Sequence, residues 1–165
     1  QYISEHPAGR YSRAYSPGTA AAFICIGGKG YSYTWPQEIG PTPWENEQGD
    51  NVLRQEYNEI SMISAAPMEG DWFHQHFSTG ETPLRLLGWY GPNNHLAQQA
   101  GIPGENVVDP GMVDVTYPGG ASIPYHLEDP HVRESYMGAI KAEGTKNRME
   151  NKFYDKNTTY SFAGG

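Results

Sequence analysis

A single, mostly-β domain is what this sequence predicts, and three observations predict it. Apolar and aromatic residues recur in short runs, several of them alternating, as in Tyr31-Ser32-Tyr33-Thr34-Trp35. Glycine and proline, 20 and 13 of 165 residues, interrupt those runs often enough to make many turns and short elements. Charged residues are few and aromatics plentiful, with 12 Tyr, 4 Trp and 5 Phe, which favours strands over a helical bundle. A chain of this length buries a proper core without disulfides or metals to staple it.

The elements follow in order. Gln1 to His6 reads as a strand that begins abruptly at residue 1, as in a piece of a longer protein. Pro7-Ala8-Gly9 turns the chain, Tyr11 to Tyr15 alternates like a strand, and Ser16-Pro17-Gly18 breaks it. Ala20 to Ile26 is apolar enough for a buried strand. Gly27-Gly28-Lys29-Gly30 is a tight turn between strands rather than a phosphate loop, since no helix follows it. Tyr31 to Trp35 comes next, with Tyr31, Tyr33 and Trp35 on one face. Pro36 to Asp50, polar and proline-rich, is a long loop. Tyr57 to Ala65 is expected as one strand. Pro67 to Gly70 turns into Trp72–Phe77, which Ser78-Thr79-Gly80 ends, and Leu84 to Tyr90 is the next strand.

From Gly91 to Gly120 the pattern dissolves into Gly, Pro and Asn, a functional loop or one that hides an element. The clearest helix comes last. Asp129 caps it, Pro130 suits its first position, Gly144 ends it, and Val132, Tyr136 and Ile140 form a buried stripe with Ala139 beside them. Glu128, Asp129 and Glu134 read as helix-start charges that complement the macrodipole. Asn147 to Gly165 is polar with scattered aromatics, either an arm on a neighbouring surface or a loose end.

Charge narrows the partners. With 19 acidic and 11 basic residues the formal net charge is −8, which argues against nucleic acid or an anionic membrane, since both need a basic surface. No apolar run approaches membrane-spanning length and no secretory pattern opens the chain. The one cysteine, Cys25 within Phe23-Ile24-Cys25-Ile26, reads as a small buried hydrophobe and fits a reducing, cytoplasmic compartment.

Trp72-Phe73-His74-Gln75-His76-Phe77 carries the chemistry. Side chains alternate along a strand, so Trp72, His74 and His76 project together while Phe73, Gln75 and Phe77 face the other way. Two imidazoles on one side serve either a metal site or proton transfer. His6 is a further imidazole, with no spacing that brings it near them.

Gly9-x5-Tyr15-x-Pro17-x3-Ala21-x6-Gly28 keeps the spacing and both glycines of the first cupin motif, G-x5-H-x-H-x(3,4)-E-x6-G. The three ligand positions are occupied by Tyr15, Pro17 and Ala21 (or Ala22). Pro67, Gly70, His74 and Ser78 approximate the second motif, G-x5-P-x-G-x2-H-x3-N, with Gly70 one residue late and Ser for Asn. Gly30-Tyr31-Ser32 and the His-Gln-His-Phe run resemble an uncharacterised group of bacterial cupin-domain proteins. The resemblance implies an all-β, cupin-type jelly-roll β-barrel over residues 1–128, a C-terminal helix packed on it over 129–144, and an extended tail over 145–165.

It also implies a site in the barrel mouth. There His74 and His76 with Tyr15 catalyse metal-independent proton transfer of the isomerase or epimerase kind, one imidazole as base and Tyr15 as acid. Trp72, Tyr33 and Arg85 are candidate ligand-binding residues, Arg85 for its bidentate grip on a carboxylate or phosphate if it points inward. Two alternatives accompany this reading. One is a mononuclear iron, manganese or zinc enzyme of oxygenase type held by His74 and His76. The other is a non-catalytic cupin that works as a ligand sensor, a homodimer or a subunit of a larger assembly.

Overall fold

The computed structural model describes residues 1–67, 70–91 and 113–157. The part of the expected loop between residues 92 and 112, and the tail beyond 157, lie outside the described residues. Nine strands are described: β1 (Tyr2–His6), β2 (Ala14–Tyr15), β3 (Ala21–Gly27), β4 (Gly30–Pro36), β5 (Leu53–Tyr57), β6 (Met62–Ala66), β7 (Trp72–Ser78), β8 (Leu84–Tyr90) and β9 (Ser122–Ile123). One α-helix, α1 (Pro130–Glu143), follows them.

The strands form two antiparallel sheets, ordered β1-β8-β3-β6 and β5-β4-β7-β2-β9. Their pairings nest: β1 with β8, β2 with β7, β3 with β6 and β4 with β5, all antiparallel. Among the described residues the ladders stay within each sheet.

Three layers result, because the second sheet is buried on both sides. Its central strands β4 and β7 are covered along nearly their whole length. One face presents Tyr31, Tyr33, Trp35, Phe73 and Phe77 to Val132, Tyr136 and Ile140 of α1 and to Met149 beyond it. Tyr31 stacks on Phe77 at 4.4 Å between ring centroids, and the Tyr136 hydroxyl donates to the Ser78 carbonyl at 2.9 Å. The opposite face meets the first sheet across a cluster of Ala21, Phe23, Cys25, Tyr57, Ile63, Leu84 and Leu86. Cys25 is a buried free thiol within it. At Gly30 any Cβ would run into the Phe77 carbonyl, so β4 can approach β7 there only as glycine.

Several elements differ from the sequence expectation, each for a local reason. The expected strand from Tyr57 to Ala65 is two strands, because Asn58–Ser61 forms a turn. The Ser61 amide donates to the Asn58 carbonyl at 2.8 Å, and the Asn58 amide to the Ser61 hydroxyl at 3.0 Å. Leu53–Tyr57 is a strand at the sheet edge, and its exposed Leu53, Arg54 and Glu56 conceal the usual alternation. Ala14–Tyr15 alone makes a regular ladder in the second expected strand, although Tyr11 bridges to Phe77.

The helix ends are those the sequence specifies. The Asp129 carboxylate accepts from the His131 amide at 2.9 Å, and Gly144 closes the helix in the left-handed region at φ 71°. Asp129 also accepts from the backbone amides of Trp44 and Glu45, at 2.7 and 3.0 Å, so it pins the 41–45 loop to the helix start. Past Gly144 the chain lies along the sheet: Thr145 Oγ1 donates to the Thr79 carbonyl and the Arg148 amide to the Gly9 carbonyl.

Asp129→Ala strands three amides at once, one of them the helix cap. Urea unfolding should show a loss of about 2–4 kcal/mol, more than a cap alone gives. A loss under about 0.5 kcal/mol would mean that water replaces the carboxylate at no cost.

Candidate functional site

The face of the second sheet that looks toward the first is polar. Register fixes the set: Ser32 lies opposite His76 and Gln55, Thr34 opposite His74, and Tyr15 opposite His74 on its other flank. Residues paired across an antiparallel ladder share a face, so these side chains converge.

Both imidazoles are buried between the sheets. His74 is 3 % exposed and His76 5 %. Their ring centroids lie 5.2 Å apart, with Phe23 of the first sheet 5.2 Å from His74 and 4.5 Å from His76. Tyr15, half-buried, meets His74 edge-on at 5.3 Å. Tyr90 lies 6.5 Å from His74. The Tyr57 hydroxyl and His76 Nδ1 share a hydrogen bond of 2.8 Å. Whichever group donates fixes the tautomer and so decides whether His76 Nε2 presents a proton or a lone pair. His6 comes to 5.2 Å from His76, because β1 lies across from β7 in the facing sheet. Among the described residues no group of three His, Cys, Asp or Glu is arranged to hold a metal ion.

Burial sets the charge state. It drives the His74 pKa down to about 3, with a smaller push from the His6 imidazole. His76 falls well below the ordinary range for the same reason, helped by His6 and His74. Burial lowers His6 as well and raises the Tyr57 phenol, which the neighbouring Ser32 hydroxyl partly offsets. The imidazoles and the Tyr57 phenol are therefore neutral at pH 7.

This face also holds polar atoms with no hydrogen bond of sound geometry: His74 Nδ1, His76 Nε2, the hydroxyls of Thr34 and Ser78, and Gln55 Oε1. Buried polar groups are nearly always paired, and each one left unpaired costs about 1–3 kcal/mol. Five lie on this face, and among the described residues Tyr31, Gln75 and Asp114 carry others elsewhere.

The structure brings together Tyr15, His74 and His76, with Trp72 half-buried on the same strand face and packed against the inter-sheet cluster. It does not bring in Tyr33 or Arg85. Tyr33 points to the helix, where its hydroxyl meets Ser135 Oγ at 2.9 Å and its ring meets Trp44. Odd positions of β4 face α1, which removes it from the imidazoles. Arg85 alternates with buried Leu84 and Leu86, so it points outward, exposed and paired with Glu5 at 2.7 Å. Sequence reading missed Tyr57, Ser32, Thr34, Gln55 and Ser78. The available signal was the small polar residues set between the aromatics of β4.

Glu128 is not a solvated helix-start charge. Tyr11 donates to its Oε1 at 2.5 Å and Gln75 to its Oε2 at 3.3 Å, on the face of β7 opposite the imidazoles. Burial raises its pKa to about 7, against the pull of those two hydrogen bonds.

Compared with protein-family models and with curated proteins, the sequence matches none.

These pKa values set the pH response. The unfolded chain protonates its imidazoles near 6.5, while His74 in the folded chain resists down to about 3 and His76 also resists. The stability they contribute is whole above 6.5 and is lost as pH falls. Glu128 acts oppositely: its contribution is whole below about 4.5 and is lost as pH rises through about 7. With His6, which burial lowers to about 4, three imidazoles outweigh one carboxyl between these limits, each group contributing up to about 1.4 kcal/mol per pH unit. Urea unfolding from about pH 7 to about pH 5 should therefore show falling stability, flatter in a His74→Gln, His76→Gln double variant and steeper in Glu128→Gln. A wild-type profile with no slope would contradict the buried, neutral imidazoles.

Proposed function

We propose that this chain binds a small, uncharged, polar molecule between its two sheets, against the face carrying His74, His76 and Tyr57. The observation that carries the reading is the convergence of five buried polar atoms without partners on one sheet face. Every donor and acceptor among them is neutral at pH 7, so a ligand charge would meet no counter-charge there and would have to be desolvated without compensation. A neutral molecule rich in hydroxyl or carbonyl groups satisfies the orphaned atoms without that cost.

The fold belongs to the same proposal. Nested pairings of β1 with β8, β2 with β7, β3 with β6 and β4 with β5 support a jelly roll, whose double Greek key winds hairpins in this manner. The glycine spacings and the His-Gln-His-Phe run support a cupin. Proton transfer between a ligand and the Tyr15–His74 pair is the weaker reading. An imidazole whose pKa lies near 3 is a feeble base at neutral pH. Binding by hydrogen bonds asks nothing of its basicity.

Thermal-shift titration with neutral hydroxylated compounds, beside matched carboxylates and phosphates, tests the proposal. A ligand at about 100 times its Kd should raise Tm by about 5–10 °C. The neutral series should act and the charged series should not. His74→Ala and His76→Ala should abolish the response, and Arg85→Ala and Tyr33→Phe should leave it unchanged. Response to the anions alone, or a full response in both histidine variants, would refute the site. Stabilisation by Zn²⁺ or Mn²⁺ alone would favour the metal reading.

A further inference from the structure

Cations and aromatic rings are concentrated on one part of the surface. Residues 130–165 carry six of the eleven cations against four acids, in a chain whose net charge is −8. Distant segments meet there: Arg10 and Arg13 before β2, Tyr125 between β9 and α1, Arg133 early in α1, and Lys152 to Tyr154 beyond it. Tyr125, Phe153 and Tyr154 lie together, each half-buried. The Tyr125 ring centroid is 6.2 Å from that of Phe153 and 5.8 Å from that of Tyr154.

Each of these rings carries a guanidinium. Arg133 lies 4.0 Å from the Tyr154 centroid, Arg10 5.4 Å from Phe153 and Arg13 5.9 Å from Tyr125, and Lys152 adds an ammonium 5.6 Å from Phe153. Significant contacts of this kind occur about once in 70–80 residues, so four on one patch exceed what chance packing supplies. Anchoring the chain end does not require them. Met149 is buried, the Arg148 amide donates to the Gly9 carbonyl, and the Tyr154 hydroxyl is bonded to that of Tyr11 at 2.7 Å. Acids on the patch do not balance its cations. Glu150 lies 3.8 Å from Arg10 and 2.8 Å from Lys152, Asp114 interacts with Arg13, Asp155 follows Tyr154, and Glu128 is taken by Tyr11 and Gln75. Against these four stand Arg10, Arg13, Arg133 and Lys152, with Lys146 and Arg148 beside Gly9.

We infer that this patch docks an acidic peptide segment of a partner protein, whose carboxylates are held by Arg10, Arg13 and Arg133. A guanidinium packed on a ring is held in place yet keeps N–H edges that match a carboxylate in two-pronged fashion. Arg133 spends one of its five N–H donors on Asn151 and has others to offer. Spacing agrees. Alternate side chains of an extended segment stand about 6.6 Å apart, close to the 5.8 and 6.2 Å steps between the rings that carry the guanidiniums. Single-stranded nucleic acid fits less well, because a base that stacks here has to displace a cation, and the charge of −8 opposes a long polyanion. A short acidic segment responds mainly to charges within the screening length of about 8 Å at physiological salt, so the local excess of cations decides.

Fluorescence anisotropy of the full chain with a labelled peptide of alternating Glu and Ser tests this. Matched peptides with Gln or Lys in place of Glu, and a single-stranded oligothymidylate, serve as comparisons. Only the Glu peptide should bind, with a Kd below about 1 mM that weakens as salt rises. Arg10→Gln, Arg13→Gln and Arg133→Gln together should raise that Kd about tenfold. Lys at the same three positions keeps the charge and the fold but loses the planar edge, and should raise it about threefold. Arg54→Gln with Arg85→Gln, which removes exposed cations from other faces, should change it by less than about twofold. No anisotropy change at about 1 mM peptide overturns the proposal. So does equal binding of the Gln peptide, tighter binding of the oligonucleotide, or the same loss in the Arg54 and Arg85 variant as in the triple variant.

Discussion

Burial of the β5-β4-β7-β2-β9 sheet on both faces is the constraint on which the rest depends. A sheet with one solvated side places its polar residues in water, and their hydrogen bonding needs no account. Here β4 and β7 run through the middle of three layers, so their polar positions are enclosed. The aromatic face supplies the adhesion, with Tyr31, Tyr11 and Phe77 stacked beneath the helix. The polar face is carried inward with it, because alternate side chains cannot choose their side independently.

The electrostatics of the candidate site follow from that geometry. Imidazoles enclosed between two sheets lose the solvation that would support a charge, so they are neutral across the physiological range. Their hydrogen-bonding capacity remains, directed by the Tyr57 contact at His76 Nδ1 and unpaired at His74 Nδ1 and His76 Nε2. Domains of this size are stable by only about 5–15 kcal/mol, so several unpaired polar atoms are a large standing cost for the fold. The aromatic layer on the far side of β7 offsets part of it, at about 0.5–1.5 kcal/mol per favourable ring pair beyond area burial.

The two faces of β7 are mechanically joined. Asp129 fixes the start of α1 against the 41–45 loop, and Tyr136 fixes the helix to Ser78. On the same face Gln75 donates to the Ser12 carbonyl and to Glu128. His74 and His76 flank Gln75 along one backbone, so the helix layer holds the strand from which their rings project, while Phe23 and Tyr57 pack the rings themselves. The placement of these imidazoles is a property of the helix layer as much as of the face that carries them.

The sequence alone determined the local elements whose signals are chemical. Asp129, Pro130 and Gly144 marked α1 because each meets a fixed backbone demand at a helix end. Glycine turns and alternating runs marked most strands, and strict alternation put His74 and His76 on one side. Tertiary structure decided what lay on that side. Alternation is identical whether the polar face meets water or a second sheet, so burial of the imidazoles, the approach of His6 and Tyr57, and the outward turn of Arg85 depended on long-range pairing. It also separated Tyr33 from the imidazoles and split the strand expected from Tyr57 to Ala65. A sequence records the period of a strand; which neighbours it meets is fixed only when distant segments pack.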